Sequence, residues 1–213
     1  MISSFVSQNW VTVIIFFIIA LITLLHYLYE DRFIKFVSII NSREYFIDYI
    51  DKKKGFISFF NVILFLIQLG IYSLLIYKIK INFEIFNNKV TSFFYILLVL
   101  FLFFIGRYLI GRMLSSVFNL QGKQNVLSFI KFTYFSKISI FILPFIIFIY
   151  YYPYYNNLLI MINIGIVIIM FVFFYLKILL QNQKMIFSNL FYFILYLCTL
   201  EIIPLVYLYK TIF

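Results

Sequence analysis

Residues 195–210 read LYLCTLEIIPLVYLYK, a run that looks like lipid-buried helix except at two positions. Glu201 is the only carboxylate inside any of the long apolar runs, and it stands three residues ahead of Pro204. An acidic side chain well inside a bilayer costs roughly 2.5–3.5 kcal/mol on insertion scales, so it faces protein and has a partner or a function there. Pro204 has no N–H, so the carbonyl of Leu200 loses its helical partner and needs another donor or a kink. Both features require a second helix beside this turn. The expected fold is therefore all-α, a polytopic bundle of membrane helices.

Composition agrees with that reading. Of 213 residues, 66% are hydrophobic and 11% charged, with a mean hydropathy of +1.10, against about 25% charged in soluble domains. The 31 Phe and 19 Tyr accompany a single alanine, Ala20. An AT-rich genome produces this bias without selection, so the aromatics are no argument for base stacking or a ligand cage. The net charge of +10 lies between apolar runs rather than along one soluble face. It points to anionic lipid head groups as the partner and away from nucleic acid. Cys198 is the only cysteine and His26 the only histidine. No intrachain disulfide, and no zinc or iron site needing two such ligands, can form within one chain. Neither a metal nor a cofactor is expected.

Run lengths predict six transmembrane helices in one membrane domain, residues 1–213, with spans at about 10–29, 56–77, 90–113, 132–152, 158–180 and 186–209. The first run lacks a basic start and a small-x-small cleavage site, so it is expected to stay as a helix. Between the first two spans, residues 31–54 place Phe33, Val37 and Ile40 on one side of a helix and Arg32, Lys35 and Ser38 off it. This reads as an amphipathic interfacial segment, with Lys52, Lys53 and Lys54 anchoring it to lipid head groups. Residues 119–131 are polar and read as a connection. Asn61 and Gln68 fall in the second span, and Arg107 and Arg112 near the inner end of the third, where they are expected to snorkel. Gly111 and Ser115 form a small-x-x-x-small pair suited to close helix approach.

Basic residues set the orientation. The loops after the first, third and fifth spans hold Arg32, Lys35, Arg43, Lys52, Lys53, Lys54, Arg112, Lys123, Lys131 and Lys184. The opposite side has Lys78, Lys80, Lys89 and Lys210. The richer side is expected in the cytoplasm, which puts both termini in the periplasm.

The core of residues 195–210, the Arg-Glu-Tyr-Phe stretch at Arg43–Phe46, and Arg107 followed by Ser115–Asn119 together resemble the Bacteroidota membrane family named domain of unknown function 4271. The likeness covers nearly the whole chain. It implies a helical fold in the inner membrane of a Gram-negative cell, and it brings no established catalytic residues with it.

Three functional classes fit these features. Short loops and the absence of a catalytic cluster favour a non-enzymatic subunit or assembly factor of a cell-envelope complex, with other membrane subunits as partners. A small proton-coupled transporter is the alternative, using Glu201 beside the helix break at Pro204, with Gln68 and Arg107 contributing. A lipid-modifying enzyme ranks third. Acid–base work of that kind wants more than one carboxylate or histidine near the surface, and no acidic pair is placed to hold Mg²⁺ within a span.

Overall fold

The computed structural model describes residues 9–38, 58–82, 90–117, 119, 121–152 and 156–181, and every element among them is a helix. In chain order these are α1 (Asn9–Leu28), α2 (Glu30–Val37), α3 (Phe59–Asn82), α4 (Val90–Val117), α5 (Gln121–Tyr151) and α6 (Asn156–Gln181). Among the described residues, four stretches are long and apolar enough to cross a membrane: Asn9–Leu28, Phe59–Ile81, Val90–Val117 and Gln124–Tyr151. Within α6 the apolar stretch is Ile160–Met170. The sixth expected span lies outside the described residues.

α3 is the centre of the bundle. It is predominantly apolar and mostly buried, as a helix flanked by others must be, and it packs on α1, α4, α5 and α6. α1 and α4 each bury a narrow stripe and present the remaining apolar surface outward. α1 packs tightly on α3 at Gly70, where an added Cβ would stand 3.0 Å from Ile18 Cδ1. Between α3 and α5 the fit depends on Ser73, Ser136 and Ser139, all fully buried. Ser73 donates to the Gly70 carbonyl at 2.9 Å and Ser139 to that of Ser136 at 2.8 Å. Small residues let the backbones come close, and these hydroxyls satisfy themselves within their own helices.

Contacts at the two ends of the bundle show that α1, α3, α4 and α5 alternate in direction. At one end Trp10, Tyr77 and Phe93 form an aromatic cluster with centroids 5.1–6.1 Å apart, and Tyr151 donates to Thr12 Oγ1 at 2.9 Å. At the other end Tyr29, Phe36 and Phe60 meet edge to face. Arg32 reaches from α2 to Ser58 and Asn61, with its guanidinium carbon 4.2 Å from the Phe60 ring centre.

Two expectations from the sequence need correcting. The polar stretch 119–131 is not a connection, because α5 already begins at Gln121. The reversal from α4 takes place around Asn119, whose φ of 54° is left-handed, a region that Asn tolerates better than most residues. From there the polar residues are compatible with helix and simply extend α5 beyond its apolar run.

The second correction concerns α2. Phe36 is fully buried, Phe33 half-buried, and Val37, placed on the apolar side by its spacing, is exposed. The helix is docked on the bundle through Phe36. It breaks from α1 at Tyr29, where Glu30 and Asp31 open a new first turn and favour a helix N-terminus. Phe36 packs on Phe60, and the buried Lys137 of α5 donates to the Ser38 carbonyl at 3.1 Å. Residues 39–57, with Lys52, Lys53 and Lys54, lie outside the described residues.

A candidate binding cleft at the basic end

Helical spacing places a polar line on each of three facing helices. On α3 it is Asn61, Phe65 and Gln68, and on α5 it is Gln124, Ser128, Lys131 and Phe135, residues three or four apart that share one face. On α4, Phe104, Arg107 and Tyr108 do the same. These lines enclose a cleft of about 250 Å³, with Val62, Ile105 and Phe132 completing the walls. It lies at the end where α2 docks, toward the connections that follow α1 and α4.

The cleft is graded along its depth. Asn61 and Gln124, both buried, lie near its outer end. Asn61 Oδ1 accepts from Arg32 at 3.1 Å, and Gln124 Nε2 contacts Ser128 Oγ at 3.4 Å. Arg107 is half-buried with its guanidinium carbon 5.2 Å from the Phe135 ring centre, and Lys131 is buried in the facing wall. Gln68 sits nine residues beyond Phe59, about 13 Å farther along the axis. Its Oε1 accepts from the fully buried Ser136 at 2.9 Å, and the NH₂ of the same carboxamide is the donor it has for the cleft. Among the described residues the polar lining is cationic, amide or hydroxyl, and the apolar lining is mostly phenylalanine. Such a lining holds an anion or an acceptor-rich group beside an apolar one.

Of the residues singled out from the sequence, Gln68 and Arg107 are brought together on this cleft. Arg107 is half-buried with its guanidinium over the Phe135 ring, whereas Arg112 is exposed. Gly111 and Ser115 are buried on one face of α4, consistent with close approach. Glu201 and Pro204 lie outside the described residues. Lys131, Gln124, Ser128 and Tyr108 were missed as site residues. The signal was present: Gln124, Ser128 and Lys131 follow helical spacing into Phe135, but only if 121–131 is read as helix.

No group of three or more metal-ligating side chains occurs among the described residues. No curated protein and no solved structure matches the chain. A family described as Domain of unknown function (DUF4271) does match, over residues 11–212. With its helical bundle and four membrane-length helices, the chain belongs to the domain of unknown function 4271 family.

Proposed function

We propose that this protein is a non-enzymatic component of the bacterial inner membrane, a subunit or assembly factor of a cell-envelope complex, with both termini in the periplasm. The observation that supports the reading is the chemistry of the cleft. Asn61, Gln68, Arg107, Gln124 and Lys131 are groups that hold a ligand through hydrogen bonds and charge. Acid–base catalysis draws on groups that exchange protons near neutral pH, and a lysine, an arginine and three amides are poorly suited to that. The cleft thus fits a protein that binds and positions.

The test is affinity purification of a tagged chain from native membranes solubilised in mild detergent, with and without prior cross-linking. The reading expects a stoichiometric membrane partner that survives washing. Recovery of the chain alone in both conditions would count against it.

A small proton-coupled transporter is the second reading. It is favoured by Gln68, which carries the polar lining of the cleft toward mid-membrane depth, where carriers place their sites. Proton-driven uptake by the purified chain in liposomes, lost in Glu201→Gln, would move this reading to first place.

A further inference from the structure

The walls of the cleft carry both chemistries of an amphiphile. We propose that it is a binding site for an anionic phospholipid, with the phosphate between Arg107 and Lys131 and the first methylenes of a chain against Phe65, Phe104 and Phe132. The inference names the ligand class of the cleft, and it rests on the reading that the cleft holds what it binds.

Three observations carry it. First, Arg107 and Lys131 stand on opposite walls of one cavity, on α4 and α5. Arginine binds phosphate through paired N–H donors and lysine as a point charge, and the Arg107 guanidinium carbon lies 5.2 Å from the Phe135 ring centre, which holds it at the cleft wall. Second, the volume of about 250 Å³ falls just short of the ~300–1,000 Å³ of sites that enclose a whole small molecule. It suits a head group and the upper part of a chain, not an entire lipid. The remainder has an apolar way out, because Val62 on the lining and Leu66 one turn along α3 are 44% and 49% exposed. Third, the cleft lies at the end richest in basic residues. That end is expected to face the cytoplasmic leaflet, and clusters of lysine and arginine there attract anionic lipid.

The experiment is native mass spectrometry of the full chain in non-ionic detergent. Phosphatidylglycerol, phosphatidylcholine with the same chains, or inorganic phosphate is added at matched concentration. One phosphatidylglycerol is expected to remain bound with about tenfold higher affinity than phosphatidylcholine, and inorganic phosphate should neither bind measurably nor displace it. Arg107→Gln and Lys131→Gln should each weaken retention by about tenfold, as loss of a charged hydrogen bond predicts. Arg112→Gln removes the same charge from an exposed position on the same helix and should leave retention unchanged.

Equal retention of the two lipids by the wild-type chain overturns the proposal without need of any variant. So does an equal loss in Arg112→Gln and Arg107→Gln, which would reduce the effect to surface charge. Inorganic phosphate binding as tightly as the lipid would replace the amphiphile with a free anion. None of these readouts involves a second protein, so failure to capture a partner leaves this result standing, and failure of lipid binding leaves a captured partner standing.

Discussion

Ser136 is fully buried and uses its hydroxyl across helices. Its bond to Gln68 fixes the amide at the floor of the cleft. Ser136→Ala should cost about 0.5–1.5 kcal/mol, the range of hydrogen bonds between membrane helices, read as a lower unfolding midpoint in detergent. Ser136→Leu should cost more, about 1–3 kcal/mol from overpacking, because the residue is fully buried against α3. Asn163 on α6 is the opposite case. It is buried, and among the described residues neither atom of its amide has a hydrogen-bond partner. An unsatisfied buried polar group costs about 1–3 kcal/mol. Leu has a similar branched shape, so Asn163→Leu should raise the unfolding midpoint, and a lower midpoint would mean that the amide has a partner the described residues do not supply.

At the scale of the element, α2 shows what hydropathy alone can and cannot read. Its amphipathic character was legible, and so was its break from α1 at the charged pair Glu30 and Asp31. The buried face was not, because on an eight-residue helix it is set by where Phe60 and Lys137 stand in the folded bundle, and neither position is a local property of residues 30–37. The same limit explains α5. Its apolar run identifies a span, but Gln121 to Lys131 reads as a loop on polarity alone, and polarity and helix propensity are different properties. Lys131 was consequently counted as a loop charge instead of a cleft wall. The docking of α2 makes its own prediction. Lys137→Met removes the donor to the Ser38 carbonyl and a favourable cation near the C-terminus of α2. Amide exchange across residues 30–38 should then accelerate while the core of α3 stays protected, whereas unchanged exchange would show that Phe36 and the Arg32 contacts hold the helix without Lys137.

For the molecule as a whole, the alternation of α1, α3, α4 and α5 and the asymmetry of charge make one joint prediction. The contacts at the two ends of the bundle place the α4–α5 turn at Asn119 with the Arg32 end, and Tyr152 with the Trp10 end. Basic residues are retained on the cytoplasmic side during insertion. An alkaline phosphatase reporter, active only in the periplasm, should therefore be inactive when fused after Asn119 and active when fused after Tyr152. With six spans, a fusion after Phe213 should be active as well. The three fusions separate two kinds of error. Inverted activity at Asn119 and Tyr152 would overturn the orientation while keeping the antiparallel pair. Expected activity at those two sites with an inactive fusion after Phe213 would keep the orientation and change the number of crossings beyond α5. If α6 is then the segment that crosses, Glu201 belongs to one that does not. The desolvation argument for its special role would fall with it, leaving the cleft, built entirely from α3, α4 and α5, as the site on which function rests.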